Sequence, residues 1–304
     1  MGHLAGSDLW SQAGAVGGGG GGGASSLTLT GFYFVDYTAA LYHVDLSGTK
    51  TTLNATVVSG AKLMKVNYDQ SYGKVFMLDD TLDVLYQCDP DGTNVALLLN
   101  STALGPIATS NSFMLDLVRQ KIVHTSTAYV ISHNYDGTSK VVLTDGGVAN
   151  SFGLTHNTKD DFYVLSCFAN TTYSVDPDGV GAAATNLGGN LFSKTKIILD
   201  ETNLKYFGIY DADIVRIADY PTPENRVTFH STGVNDLVDL FRDPYTGYIY
   251  CLVQATSGGV ESGIYEYTLD DLVEGPPNTS HAAAADYNFL TGAGSTMGFC
   301  PIYA

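Results

Sequence analysis

The chain has 304 residues, 14 Lys and Arg against 31 Asp and Glu, a formal net charge of −17, and only 15% charged residues. Nucleic acid is excluded as a partner, because neutralising phosphates needs clustered Lys and Arg. No apolar run reaches 18 residues, so no membrane-spanning helix is expected, and the sparse charge leaves a surface built from Thr, Ser, Asn, Gly and Tyr.

Residues 1–26 stand apart from the rest of the chain. Seven consecutive glycines, Gly17, Gly18, Gly19, Gly20, Gly21, Gly22 and Gly23, separate a short segment holding Leu9 and Trp10 from the first strand pattern at Leu27. A glycine tract reads as a flexible linker in isolation. In this chain it is read as an assembly arm: Leu9 and Trp10 anchor the tail on another copy of the protein, and the glycines allow close backbone approach. The opening MGHLAGSDLWSQAGAV has neither the basic region nor the apolar core of a signal peptide. Met1 is therefore read as not the start of the precursor.

From residue 27 onward the chain repeats. An Asp closes a short apolar run at Asp69, Asp116, Asp200 and Asp243, with Asn157 in the same place; the spacings are 47, 41, 43 and 43 residues. After each comes a four-residue turn, with Gly73 and Gly247 suited to positive φ, and then a run rich in aromatic and β-branched residues such as Val75-Phe76 and Tyr206-Phe207. A third run ends at Asp45, Asp89, Asn134, Asp176 and Asp219, spaced 44, 45, 42 and 43 residues apart. Two independent positions share one period. A strand-rich unit of that length predicts a β-propeller. The N-terminal unit starts directly at its second strand, GFYFVDY, and the chain ends on an orphan run, STMGFCPIYA. Residues near Met297–Tyr303 are therefore expected to supply the inner strand of the first blade. The predicted fold is an all-β, six-bladed propeller over residues 27–304, closed by N- and C-terminal strands that share one blade.

This pattern resembles the six-bladed YWTD propeller of the low-density-lipoprotein-receptor family and its bacterial relatives. The second-strand counterparts are Phe34-Val35-Asp36, Phe76-Met77-Leu78-Asp79 and Tyr206-Phe207-Gly208-Ile209; the third-strand counterparts are Tyr42–Gly48, Tyr86–Gly92 and Tyr173–Gly179. The resemblance implies the fold. No blade contains Tyr-Trp-Thr-Asp itself, and the only Trp is Trp10, so no ligand-binding residue of that family is carried over.

Candidate chemistry is sparse. Four N-x-S/T sequons at Asn54, Asn100, Asn170 and Asn278 fall after expected strands and point to N-linked glycans on an extracellular or cell-surface protein. The cysteines Cys88, Cys167, Cys251 and Cys300 match no zinc or redox spacing. They read as buried apolar thiols, with a closure disulfide between Cys251 and Cys300 as the alternative. The Asp-Pro-Asp-Gly segments at 89–92 and 176–179 read as turns rather than Ca²⁺ loops, with Gly in the left-handed position. The inner strands offer Asn67, Asp69, Asp116, His156, Asn157, Asp236 and Asp239 to a divalent ion on the propeller axis, the arrangement of a metal-dependent lactonase or esterase. The recurrence of the Asp argues instead for turn capping once per blade. The histidines show no metal-binding spacing and read as solvated or strand-face residues. No cofactor is expected. The sequence favours a non-catalytic structural protein that polymerises head-to-tail. A propeller hydrolase and a monomeric ligand-binding ectodomain are the alternatives.

Overall fold

The computed structural model describes residues 27–36, 38–79, 82–100, 113–126, 128–148, 151–167, 171–188, 197–201, 204–210, 214–219, 227–231, 235–243, 248–255, 263–267 and 296–304. The expectations placed on Leu9, Trp10, Gly17–Gly23, Asn170, Asn278 and Gly247 lie outside them.

The described residues form six antiparallel sheets, five with four strands and one with three. The first joins β23 (Thr296–Tyr303) to β1 (Leu29–Asp36), β2 (Leu41–Asp45) and β3 (Lys50–Asn54). The second holds β4 (Leu63–Asp69), β5 (Lys74–Asp79), β6 (Val84–Cys88) and β7 (Ala96–Leu99). The third runs through β8 (Phe113–Asp116), β9 (Lys121–Thr125), β10 (Val130–Asn134) and β11 (Val141–Val142). The fourth comprises β12 (Ser151–Asn157), β13 (Phe162–Cys167), β14 (Thr171–Val175) and β15 (Thr185–Gly188). The fifth comprises β16 (Ile197–Asp200), β17 (Lys205–Tyr210), β18 (Ile214–Asp219) and β19 (Val227–Ser231). The sixth has β20 (Asn235–Arg242), β21 (Ile249–Ala255) and β22 (Gly263–Tyr267). As expected, the C-terminal run pairs with the N-terminal one: Tyr33 faces Cys300 and Phe34 faces Phe299 across β1 and β23.

The second strands β1 and β5 are apolar on both faces because each of their sheets packs against two others. In β5, Val75 and Met77 join Tyr33, Val35 and Leu63 in a core shared with the first sheet. Phe76 and Leu78 point the other way, into a core with Phe113, Ile122 and Tyr135 of the third. Period-two alternation therefore sends one residue to each neighbour. The same split occurs in β1: Tyr33 and Val35 face the second sheet, while Phe32 and Phe34 meet Tyr250, Leu252 and Ile264 of the sixth. Complete burial of a Phe or Met contributes about 1.5–3 kcal/mol each.

Alternation also explains why no closure disulfide forms. None of the four cysteines is in a disulfide, and all are buried. Phe299 turns toward the sixth sheet, so Cys300, one residue on, turns toward the second and packs with Cys88 and Met77. Cys251 sits between Tyr250 and Leu252, which both face the first sheet, so its own side chain points away from it. The two thiols leave the shared seam in opposite directions. Burial pushes Cys88 and Cys167 up to about 12 and raises Cys251 as well.

Candidate functional site at the inner turns

The repeated acids lie where β4, β8, β16 and β20 end, and all are buried. Asp69 Oδ1 accepts from the backbone N of Ser71 and Tyr72 at 2.8 and 3.0 Å and from Ser71 Oγ at 2.6 Å. Asp116 Oδ1 accepts from Val118 N and Arg119 N at 3.0 and 2.9 Å. Asn157 Oδ1 accepts from Lys159 N and Asp160 N at 3.1 and 3.2 Å. The turn-capping reading is thus borne out at three turns. A carboxylate satisfies amides that would otherwise be buried and unpaired, at about 1–3 kcal/mol each.

The same residues also hold consecutive sheets together. Tyr163 Oη of the fourth sheet donates to Asp116 Oδ2 of the third at 2.6 Å. Thr158 N of the fourth donates to Glu201 Oε1 of the fifth at 2.6 Å. Arg242 of the sixth pairs with Asp200 of the fifth at 2.9 Å. Tyr303 Oη of the first donates to Asp243 Oδ1 of the sixth at 3.2 Å. Between the second and third sheets, Tyr135 packs on Tyr72 with ring centroids 5.0 Å apart. Burial first, and then Asp69, raises the Tyr135 phenol, although its hydroxyl forms no hydrogen bond of standard geometry. All these contacts fall at one end of the sheets, where the inner turns lie.

The seam between the third and fourth sheets carries the densest charge. Arg119 binds Asp161 at 2.6 Å and reaches Asp116 and Asp178 at 3.3 Å each. Its guanidinium is raised chiefly by the hydrogen bond to Asp161, whose carboxyl it lowers in return. His156 Nε2 lies 3.2 Å from Asp161 Oδ1, but its Nδ1 is 3.7 Å from Asp116 Oδ1, beyond a hydrogen bond. Asp116 already serves two amides, a phenol and a guanidinium. The arrangement orients side chains and joins sheets, and it presents no activated nucleophile.

Of the residues proposed as axial metal ligands, Asp116 and His156 approach to 3.7 Å, but they do not form a ligand set. Among the described residues, no group of three or more His, Cys, Asp or Glu has metal-ligand geometry. Asn67 Nδ2 donates to Phe113 O at 3.3 Å. Asp239 Oδ1 accepts from Leu240 N at 2.9 Å, Asp239 Oδ2 from Phe299 N at 3.4 Å, and the cation beside Asp239 is Lys65 Nζ at 3.7 Å. The side chain of Asp236 lies outside the described residues.

A second seam, with no counterpart among the sequence motifs, lies at the outer strands. The turn after β6 rests on β3: Asn54 Nδ2 donates to Gly92 O at 3.0 Å, and a Cβ on Gly92 would stand 2.9 Å from Leu53. The turn after β10 rests on β7 in the same way, with a Gly137 Cβ 2.8 Å from Leu98 O. Past β14 the chain pairs with the third sheet through Gly181 N to Val142 O and Ala182 N to Leu143 O, at 3.0 and 3.1 Å. Gly92 takes the expected left-handed φ of 81°; Gly179 does not, and Gly181 beyond it does, at 60°. Of the sequons within the described residues, Asn54 is half-buried in this contact and Asn100 is exposed.

Two of the histidines are strand-face residues, on β9 and β10, and they are not solvated. His124 and His133 are buried, with rings stacked 5.3 Å apart. Burial pushes them down to about 3 and about 4, helped by their mutual proximity at His124 and by Lys140 and Lys121 at His133. The backbones of Thr125 and Gly137 lie near enough to oppose these shifts, but none of the four ring nitrogens makes a hydrogen bond of standard geometry. The available signal was their parity: His124 and His133 alternate in step with the inward-facing Ile122 and Ile131.

No family model and no curated protein matches the sequence. Solved structures do match. A chain of a nidogen/laminin complex superposes with a TM-score of 0.58 at 12% identity, covering 89% of this chain and 97% of that one. A streptogramin B lyase gives 0.54 at 12% identity, with 79% of each chain covered. Both are β-propellers, the first of the YWTD type. The fold and its repeated turn caps therefore define a β-propeller that resembles the YWTD group at the level of fold.

Proposed function

We propose that the protein is a non-catalytic interaction module: a six-bladed propeller over residues 27–304, closed by its own termini, that assembles head-to-tail through an arm formed by residues 1–26. The observation that carries this reading is the use of the repeated polar residues. Asp69, Asp116, Asn157, Asp200 and Asp243 are committed to turns and to neighbouring sheets. Six blades and closure are supported by the pairing of β23 with β1 and by the core that the first sheet shares with the sixth. The likeness to a propeller solved in a nidogen/laminin complex is consistent with a protein-binding role. An acidic chain poor in charged residues with four sequons fits an extracellular or cell-surface location and N-linked glycans.

Light scattering and negative-stain imaging of the full chain, beside a chain starting at Ala24, test this. Polymers that vanish without the arm are the expected result. Equal monomers in both samples would overturn it, and a divalent ion bound with a measurable hydrolase activity would replace it with an enzymatic function.

A further inference from the structure

We propose that Tyr72, with the turn that carries it, is the docking site for the Leu9–Trp10 segment of a second copy; this rests on the assembly reading above. Tyr72 is 41% exposed although it is large and apolar. Its ring lies over Phe76 at 6.3 Å and 19° and meets Tyr135 at 5.0 Å. The result is an aromatic shelf held rigid from behind and open in front. Rigid exposed aromatics are the usual anchors of interfaces. Val118 and Leu204 are exposed at the corresponding turns of the third and fifth sheets, at 49% and 37%.

The place where the arm leaves the sheets identifies the occupant. Thr28 and Ala304 exchange two backbone hydrogen bonds of 2.9 Å, and the adjacent Tyr303 touches Asp243 at an inner turn. The chain therefore enters β1 at the same end as Tyr72. From Leu27 back to Trp10 an extended chain spans up to about 60 Å, enough to leave its own surface. Charge agrees as well. The turns at this end carry Asp45, Asp91, Asp136, Asp160 and Asp178 against Arg119 and Lys159, whereas residues 1–26 contain one carboxylate, Asp8, and no Lys or Arg. A nearly uncharged, apolar arm approaches this acidic surface without repulsion, while an acidic partner is turned away.

Trp10 is the only Trp, so its fluorescence reports on the arm alone. Full-length protein is followed by Trp emission and light scattering over a concentration series. The expected result is a blue shift that grows in step with mass. Tyr72→Ser should raise the midpoint concentration at least tenfold and return Trp10 to solvent, measured at a temperature where circular dichroism shows the variant fully folded. Tyr129→Ser is the control: Tyr129 is 42% exposed at the opposite end of the sheets, after β9, and its loss should alter neither signal. A Tyr72→Ser protein that polymerises and shields Trp10 like the parent overturns the docking site and leaves the assembly reading standing. A Trp10 that is shielded at every concentration without growth in mass, and released by Tyr72→Ser, overturns the second copy as host, because the arm then lies on its own chain. Equal losses in both variants overturn the site.

Discussion

The turns at 45–49 and 89–93 are nearly the same object. Each has an Asp at the end of a strand, a Gly three residues on and a Thr after it; the glycines take φ of 82° and 81°, and each donates its N–H to the Asp carbonyl, at 3.0 and 2.9 Å. Their surroundings differ. A Cβ on Gly48 would meet nothing within 4 Å, whereas one on Gly92 would stand 2.9 Å from Leu53. Local sequence sets the turn, and the order of the sheets sets what the turn rests on. Glycine is needed for conformation at the first site and for both conformation and space at the second.

The largest effect expected from this contrast is on melting. Gly92→Ala combines left-handed strain with a collision against backbone and should destabilise by about 3 kcal/mol, read as a fall in Tm. Gly48→Ala meets only the strain and should lose about 1 kcal/mol. Equal losses would show that the overlap on β3 contributes nothing.

The next effect concerns the seam one sheet further on, above the buried His124 and His133. Both imidazoles sit below their ordinary pKa in the fold, so the unfolded chain binds more protons as pH drops below about 6.5. Stability is therefore full above that pH and is lost as pH falls toward 4. The slope reaches about 2.7 kcal/mol per pH unit with both histidines and about half that with one. Denaturant melts of His124→Leu across pH 4–7 should show the shallower slope; an unchanged slope would assign the acid sensitivity elsewhere.

A smaller loss, about 1 kcal/mol, is expected for Asn54→Ala, which removes the side-chain donor to Gly92 O. Its cost and that of Gly92→Ala should not add, because the two share one contact. A double mutant whose loss equals the sum would separate them. Smallest of all is the acid response of the turns themselves. The carboxyls of Asp45 and Asp91 are both held low, first by hydrogen bonds from the Ser47 and Thr93 side chains. Their stabilisation is present above the ordinary Asp range and fades as pH falls below it. Carbon NMR titration should find similar depressions at the two sites, since the cause is local in both.

Much of the fold was legible in the chain itself. The capping Asp recurs because each inner turn has the same amides to satisfy, and recurrence is visible without coordinates. The left-handed fourth turn residue was only half visible. Gly73 announces it, but Gln120, Asp161 and Leu204 adopt the same conformation at φ 52–56° without glycine, because the hairpin imposes it. Gly179 shows the reverse failure: an Asp-Pro-Asp-Gly that matches 89–92 does not place its glycine left-handed, since the chain beyond it is drawn into pairing with Val142 and Leu143. The rest of the outer seam left no mark in the sequence, because Leu53 and Gly92 lie far apart in it and neither the Asn54 sequon nor the turn at 89–92 names its partner. Side-chain parity, which sends Cys251 and Cys300 to opposite faces, already favoured the buried-thiol reading over the alternative bridge.

The pairing of β1 with β23 has a consequence for the making of the protein. Thr30 and Ile302, joined by a hydrogen bond, are 272 residues apart. During synthesis β1 emerges early, and its partner arrives only after the five intervening sheets have been translated, a wait on the order of tens of seconds. Through that interval the edge of β1 that β23 will cover stays unpaired, with Phe32 and Phe34 lacking Phe299 as a neighbour. The first sheet to be translated is thus the last to be completed, and release of a nascent chain short of residue 296 leaves an open strand edge that invites pairing with another chain.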